Sequence, residues 1–434
     1  MDSVAHLKKG FYSANEAQAR PGAESPSSAA PVRASGPPAS TIAPALRTFD
    51  SVLCFGDSDW WYHNRGHADM QFMRRFARMT NVIYVNSLGV KAPAVTDGGM
   101  SLHRIARKAR SMARYFRDSG EGFGVMTPIY YPGLTGLSGR GMSAALAAQI
   151  RFALRIRKMK HPLIWVACPA AARVLSRLAA AGTVYQLSDL YSGLLGGECG
   201  AVAEMEETIA RLADLVVCSS AALLERSRRL YGYGEYVDHG VDWEMFSAAG
   251  SDGMIPEVLG HVRRPIIGFF GNIDGNTVDR VLLDRVIASR RDYTFVLLGA
   301  MAPEFMDLRR HSNVVAVPQQ PYRDVARFGG AFDVCIMPWL QNQWIEHCNP
   351  VKLKEYLTLG KPVVSTPFRE LSVCGAPCYV ARGPEAFADA VDRALSEDNE
   401  LRRRERREWA RGHSWEAKFA TVLRLLRERG ILPA

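Results

Sequence analysis

Long apolar stretches are absent from this chain of 434 residues. A helix that spans a membrane needs about 18 or more consecutive, mostly apolar residues, and the sequence contains no such run. Residues 1–47 also lack the apolar core of a secretory signal, because they are rich in Ala, Pro and Ser. We therefore interpret residues 1–47 as a disordered tail and expect a cytoplasmic protein without a membrane span.

Cysteine patterns that would indicate disulfides or a zinc site are also absent. Cys374 and Cys378 form a CGAPC pair, but no second pair stands at zinc-site spacing. Other cysteines lie within apolar, strand-like runs, as small buried residues do in a reducing cytoplasm; they are Cys54, Cys168, Cys218 and Cys335. The sequence therefore predicts neither a metal site nor a bound cofactor.

Acidic residues are scarce in one part of the chain. Between Met100 and Lys160, twelve Lys and Arg residues accompany only Asp118 and Glu121, a local excess as large as the formal net charge of +10. Such a surface could be merely solvated, could bind nucleic acid or could lie on anionic lipid headgroups. Because no nucleic-acid-binding motif accompanies it, we expect an anionic membrane surface as the partner, and no nucleic acid.

Apolar strand-like runs alternate with amphipathic helical segments along the rest of the chain, which is typical of doubly wound α/β domains. We expect a first domain at 48–240, a linker at 241–263, a second domain at 264–412 and a C-terminal helix at 413–434. Two basic helices are predicted at 102–116 and 142–159. The predicted strands are 51–55, 82–85, 163–167, 183–187 and 215–218, followed by 266–270, 294–298, 313–317, 333–337 and 362–365.

Polar loops follow two strands of the first domain, where the carboxyl edge of a parallel sheet commonly binds ligands. The loop GDSDWWYHNRGHAD places Asp57, Asp59, Trp60, Trp61, Arg65 and His67 at this edge. Its two tryptophans either pack the loop or offer an aromatic surface to a sugar or a lipid-linked acceptor. Asp189 follows the strand 183–187 in the same manner, and it could reach the cleft or cap the next segment.

The segment NPVKLKEYLTLGKPVVST, residues 349–366, carries the strongest signal in the second domain. Asn349 is a good N-cap, Pro350 suits the first helical turn, and a buried strand follows the helix. Unpaired amides at the helix start and the ammonium of Lys352 suit an anion such as a diphosphate, and Glu355 could accept hydrogen bonds from sugar hydroxyls. From spacing alone, a plain capped helix explains the pattern equally well.

This segment resembles the nucleotide-sugar-binding segment of GT-B glycosyltransferases, which has the form PxKLxEYLxxGxPVV. Residues 236–246, YVDHGVDWEMF, resemble the HGVD or NGVD signature at the domain junction of the same enzymes. The resemblance extends over nearly everything from Ser51 onward. It implies two Rossmann-like domains that face a cleft, with the donor in the second domain and the acceptor in the first. The pattern is similar to bacterial enzymes of exopolysaccharide and teichuronic acid synthesis and, more distantly, to the xanthan glucuronosyltransferase.

By this resemblance, Glu355 matches the glutamate that binds the nucleotide ribose, and Lys352 matches the diphosphate contact. Asp189 is the candidate general base if the enzyme inverts, with Lys352 as the second catalytic residue. The expected donor is a UDP- or GDP-linked sugar, and the expected acceptor is a saccharide, with a lipid-linked one favoured. The candidate substrate-binding residues are Gly271, Asn272, Asn349, Val351, Lys352, Glu355, Arg65, His67 and His239.

Two departures from the family pattern keep other functions open. His347 stands where many relatives carry a first glutamate, and the glycine-bearing loop at Gly271 lacks the usual basic pair. A nucleotide-sugar 2-epimerase of the same fold is one alternative. An inactive subunit that binds a partner glycosyltransferase is the other, and the resemblance leaves stereochemistry, inverting or retaining, undecided.

Overall fold

The computed structural model describes residues 48–62, 66–89, 110–132, 136–191 and 199–433. The first domain is built on an eight-stranded sheet in the order β3-β4-β2-β1-β5-β6-β7-β8. All of its pairs are parallel except β3 with β4. Its strands are β1 (Ser51–Phe55), β2 (Asn81–Val85), β3 (Phe116–Asp118), β4 (Gly124–Met126), β5 (Pro162–Val166), β6 (Gly182–Leu187), β7 (Leu215–Cys218) and β8 (Glu235–Tyr236).

Both faces of this sheet are buried. Leu53 and Ile164 belong to one apolar cluster, and their strand neighbours Val52 and Trp165 belong to another on the opposite face. Continuous apolar strands such as SVLCF and PLIWV are what a parallel sheet covered on both sides requires. The covering helices are α1 (Ala68–Phe76), α2 (Gly136–Ile156), α3 (Ala172–Leu175), α4 (Cys199–Leu212) and α5 (Ala221–Tyr231), with a 3-10 turn at Pro169–Ala171.

The second domain has a wholly parallel six-stranded sheet in the order β11-β10-β9-β12-β13-β14. Its strands are β9 (Ile266–Phe270), β10 (Thr294–Leu298), β11 (Val314–Val317), β12 (Val334–Met337), β13 (Val363–Ser365) and β14 (Tyr379–Val380). Its helices are α6 (Trp243–Asp252), α7 (Arg280–Ser289), α8 (Tyr322–Ala331), α9 (Gln343–His347), α10 (Val351–Thr358), α11 (Arg369–Cys374), α12 (Pro384–Ser396) and α13 (Glu400–Arg411), with 3-10 turns at Glu257–Leu259 and Pro303–Arg310. The predicted α/β class with two doubly wound domains is thus confirmed.

The last helix, α14 (Trp415–Glu428), returns to the first domain. Trp415 is 1% exposed and lies edge-on to Phe72, with ring centroids 5.6 Å apart. One turn further, Phe419 packs against Phe76 at 4.8 Å, and Glu416 pairs with Arg75 at 2.5 Å. The chain therefore crosses between the domains twice, and its end helps to set their relative position.

The end of one predicted helix was wrong. The helix predicted at 102–116 ends too late, because residues 110–113 are helical but Phe116–Asp118 forms a strand that pairs with β4; the start of this segment lies outside the described residues. Both interpretations of the loop tryptophans were open, and the structure decides for Trp60: it is fully buried against Tyr84 and Phe123 and packs the loop. The predicted tail, residues 1–47, also lies outside the described residues.

Candidate functional site

The carboxyl edges of the two sheets face each other across a cavity of about 400 Å³. In each sheet the loops meet at the point where the strand order reverses, beside β1 in the first and β9 in the second, which is where open α/β sheets bind ligands. The cavity is lined from the first domain by Asp57, Gly66, His67, Ala68, Asp69, Gln186, Ser188, Asp189 and His239. From the second domain come Phe270, Gly271, Asn272, Leu298, Gly299, Ala300, Gln319, Gln320, Tyr322, Val325, Asn349, Val351, Lys352 and Glu355.

Most of the candidate residues from the sequence thus lie around one cavity. Arg65 falls outside the described residues. His67 immediately precedes α1 and lines the cavity, although its side chain does not cap the helix. Asp189 is half-buried on the loop after β6, and its carbonyl accepts a hydrogen bond from the Tyr191 amide at 3.0 Å.

Helix α10 begins at the cavity wall, but Asn349 is not its N-cap. Pro350 occupies that position without a side-chain capping bond. The Asn349 amide instead bridges the domains: its Oδ1 accepts from the His239 N–H at 3.3 Å, and its Nδ2 donates to Glu370 Oε1 at 3.1 Å. These partners come from distant parts of the chain, so local spacing could not predict them. With no side chain capping it, the start of α10 presents backbone N–H groups at the cavity wall.

The Lys352 ammonium lies beside this helix start on two aromatic faces. Its Nζ is 4.3 Å from the ring centroid of Phe269 and 5.5 Å from that of Trp339. Both rings are almost fully buried, and a cation over such a ring face is attracted by the ring quadrupole. These two contacts favour a position of the Lys352 charge next to the cavity.

The turn after β9 passes directly over Lys352. Gly271 has φ +132°, and a Cβ at this position would lie 2.7 Å from Lys352 Nζ. Gly299, after β10, has φ +142°, and its Cβ would lie 2.0 Å from the Gly271 carbonyl oxygen. Only glycine permits this close packing of two turns and an ammonium. Helix α7, which follows this turn, is capped by Asp279, whose Oδ1 accepts from the Leu282 amide at 3.0 Å.

Glu355 lies one turn beyond Lys352 and contacts Tyr322. The Tyr322 hydroxyl donates to Glu355 Oε1 at 2.7 Å, and Glu355 is 5% exposed. Burial raises the pKa of Glu355 to about 7, because an ionised carboxylate loses solvation there. Tyr322 was not predicted from the sequence, since only the packing of α8 against α6 and β9 brings it to the cavity.

The first domain contributes carboxyl groups and neutral imidazole to the opposite wall. Burial, with a smaller contribution from the nearby Asp69 carboxylate, raises the pKa of Asp57 to about 7. Burial and the Lys354 ammonium lower the pKa of His239 to about 3, so this imidazole is neutral at ordinary pH. Asp57 follows β1 with only Gly56 between them. The sequence placed it at this sheet edge, and that position is the signal that could have added it to the candidate substrate-binding and catalytic residues.

Known proteins resemble this chain in sequence and in fold. Residues 264–397 match the family model of the glycosyl transferases group 1. A protein of Bacillus subtilis (strain 168), TuaH, assigned as a teichuronic acid biosynthesis glycosyltransferase, is 26% identical over 283 residues, which cover 60% of this chain and 70% of the relative.

Solved structures share the two-domain architecture. The sucrose-phosphate synthase of Thermosynechococcus elongatus superposes with a TM-score of 0.63 at 14% identity, covering 87% of this chain and 98% of its own. HepE of Anabaena in complex with UDP superposes with a TM-score of 0.62 at 13% identity, and the match covers 87% of this chain and 99% of HepE. Given the facing Rossmann-like domains, the group 1 match and the similarity to TuaH, this chain is a glycosyltransferase with the GT-B fold.

Proposed function

We propose that the enzyme transfers a sugar from a nucleotide-diphosphate sugar, UDP- or GDP-linked, which binds against the second domain. This proposal rests on four features that meet at one cavity: the uncapped start of α10, Lys352, the turn at Gly271 and Glu355. Helix amides and an ammonium suit a diphosphate, and a carboxylate suits ribose hydroxyls. HepE, which shares the fold, has been solved with UDP and with UDP-glucose.

In the proposed reaction, the bond between the anomeric carbon and the diphosphate oxygen breaks while the acceptor oxygen forms a new bond to that carbon. The breaking bond leaves its electron pair on the diphosphate. Lys352 and the α10 amides stabilise this charge, and they do so most strongly in the transition state, where it accumulates. The proposal requires no other cofactor.

Asp189 is the proposed general base for an inverting reaction. It lies on the cavity wall opposite Lys352, where a carboxylate can accept the proton of an acceptor hydroxyl as the new bond forms. In a retaining reaction this role passes to the donor phosphate, and Asp189 then has no catalytic part. Substitution of Asp189 therefore also tests the stereochemistry of the proposal.

We further propose a lipid-linked saccharide acceptor of bacterial surface polysaccharide synthesis, met at the inner face of the membrane. Similarity to TuaH supports the pathway type, and the surface of α2 supports the location. Among the described residues, no helix is long and apolar enough to span a membrane. The proposed attachment is therefore peripheral.

The exposed side of α2 has the composition of an interfacial helix. Leu137, Phe152 and Ile156 are 84%, 54% and 61% exposed. Arg140, Arg151 and Arg155 lie on the same side at helical spacing, and the helix contains no acidic residue. Apolar residues with arginines between them suit the boundary between anionic headgroups and acyl chains.

Calorimetric titration of the purified protein with UDP, GDP and their sugars tests the donor half of this proposal. We expect one nucleoside diphosphate to bind clearly better than the other, and its sugar to be consumed only when an acceptor is added. Conversion of the donor without acceptor would instead identify the 2-epimerase. Failure to bind either nucleotide would favour the inactive subunit.

A further inference from the structure

A buried ion pair joins the two domains directly behind the cavity. Asp238 belongs to the domain junction and is 3% exposed; Lys354 belongs to α10 and is 2% exposed. Lys354 Nζ lies 2.7 Å from Asp238 Oδ2. Two charges so fully removed from water require close partners, since an unpaired buried charge is strongly unfavourable.

The same ammonium holds two residues of the cavity wall. Lys354 Nζ donates to Asn349 Oδ1 at 2.8 Å and to the backbone carbonyl of His239. Asn349 Oδ1 in turn accepts from the His239 N–H at 3.3 Å. Asn349 and His239 line the cavity from opposite domains, whereas Lys354 does not line it. Lys354 thus ties the start of the donor-side helix to the junction segment of the first domain.

The network continues on the far side of Asn349. Its Nδ2 donates to Glu370 Oε1 at 3.1 Å, and Glu370 Oε2 accepts from the Ala221 N–H of the first domain at 3.0 Å. The Tyr236 hydroxyl also donates to Glu370 Oε1. Asn349 therefore lies between two buried charged groups, each of which reaches across the domain boundary.

A second lysine next to Asp238, Lys418, offers a matched control for Lys354. Lys418 of α14 lies 2.5 Å from Asp238 Oδ1, and His413 Nδ1 lies 3.1 Å from Oδ2. Burial opposes ionisation of Asp238, but Lys354, His413 and Lys418 outweigh it and hold the pKa of this carboxyl well below its usual range. Loss of one lysine consequently leaves the carboxylate with a remaining cation.

We infer that Asp238 and Lys354 are positioning residues, whose contact across the domain boundary holds His239 and Asn349 in place for donor binding. The inference rests on the proposed function, because it assumes that the nucleotide sugar occupies this cavity. The ion pair determines where α10 starts relative to the first domain. A shift of about 1 Å at such a site is sufficient to lower the rate strongly.

The test compares Lys354→Met with Lys418→Met. Both variants remove one ammonium from Asp238, but only Lys354→Met also releases Asn349 and His239. We expect both to lower the melting temperature, and only Lys354→Met to weaken nucleoside diphosphate affinity, by about tenfold or more. Lys418→Met should keep its affinity within about twofold of the wild type. The His239 amide should exchange its hydrogen faster in Lys354→Met than in the wild type, whereas its exchange rate should stay unchanged in Lys418→Met.

Two results would overturn the inference. One is unchanged nucleotide affinity and unchanged amide exchange at His239 in a folded Lys354→Met variant. The other is an equal loss of affinity in Lys418→Met, which would mean that the cluster only stabilises the fold. If Lys354→Met is poorly folded, Asp238→Asn, which removes the carboxylate that pairs with Lys354 and does not line the cavity, serves as the second variant with the same expected loss. Wild-type protein that binds neither UDP nor GDP would refute the proposed function itself, a distinct outcome.

Discussion

The hydroxyl of Tyr322 donates a 2.7 Å hydrogen bond to Oε1 of Glu355 at the donor side of the cavity. Burial raises the pKa of this carboxyl to about 7, and the bond from Tyr322 lowers it in part. Ribose hydroxyls would donate to the ionised form, so nucleotide binding and deprotonation of Glu355 are coupled. The affinity of the enzyme for its nucleotide should therefore depend on pH near neutrality.

We expect the nucleoside diphosphate to bind more tightly as pH rises from about 6 to about 8. Glu355→Gln should flatten this dependence and weaken binding by about 1.5–3 kcal/mol at the upper end. Tyr322→Phe should shift the midpoint to higher pH, since it removes the bond that favours the carboxylate. Calorimetry over the pH series measures all three. A wild-type affinity that is independent of pH would contradict the role of Glu355.

The raised pKa of Glu355 also predicts how the stability of the fold depends on pH, independently of nucleotide binding. Its pKa is raised from 4.5 to about 7 in the folded protein, so the fold binds the proton more tightly than the unfolded chain does. The free energy of unfolding should then fall as pH rises from about 4.5 to about 7. Without nucleotide, Glu355→Gln should be more stable than the wild type at about pH 8, as measured by thermal denaturation.

Lys352→Met should lower turnover more than it lowers donor affinity. The diphosphate gains charge only as the sugar departs, so the ammonium contributes most in the transition state. We expect a loss of roughly a hundredfold to a thousandfold in kcat and a smaller change in the dissociation constant. Equal effects on the two quantities would make Lys352 a simple binding residue.

Gly271→Ala should disturb both the turn after β9, which lines the cavity, and the Lys352 ammonium beside it. The added methyl group would lie 2.7 Å from Lys352 Nζ, at a φ of +132° that alanine rarely adopts. We expect weaker donor binding and lower turnover together. Gly275→Ala is the matched control, because its Cβ meets nothing closer than 3.7 Å; it should behave as the wild type in both assays.

Asp189→Asn should abolish transfer if the reaction inverts. Loss of a general base commonly lowers the rate by about a hundredfold to ten-thousandfold, while donor affinity and melting temperature should hardly change. Ser188→Ala, in the same loop and on the same cavity wall, should retain most activity. Near-normal turnover of Asp189→Asn would indicate a retaining reaction or a different base, with His67 or Asp57 the next residue to replace.

The exposed side of α2 should bind anionic membranes. Each arginine near such a surface contributes about 1 kcal/mol, so replacing Arg140, Arg151 and Arg155 by Gln should lower binding to anionic liposomes roughly a hundredfold. The control replaces three exposed arginines of α13 that pair with acidic residues, Arg402, Arg403 and Arg404, and has the same net charge. Sedimentation that is insensitive to salt, or an equal loss in both triple variants, would argue against this surface.

The amino-acid sequence by itself determined the class of the fold and the central strands. Strands such as β9 and β12 are buried on both faces, so they occur as continuous apolar runs that can be recognised locally. Short edge strands such as β3 and β14 gain their structure from a neighbour in the sheet. Their sequences carry little pattern of their own, and the prediction placed Phe116 in a helix.

The tertiary structure alone decided what the candidate residues do. Asn349 has the sequence of an N-cap, yet its amide is engaged by Lys354, Glu370 and the His239 N–H. The contact with the His239 N–H depends on the position of one domain against the other, which α14 helps to determine by packing Trp415 into the first domain. A cap is a contact within a few residues, whereas Glu370 and His239 lie 21 and 110 residues away from Asn349 along the chain. Local spacing contains no information about them, so only the folded chain could assign them.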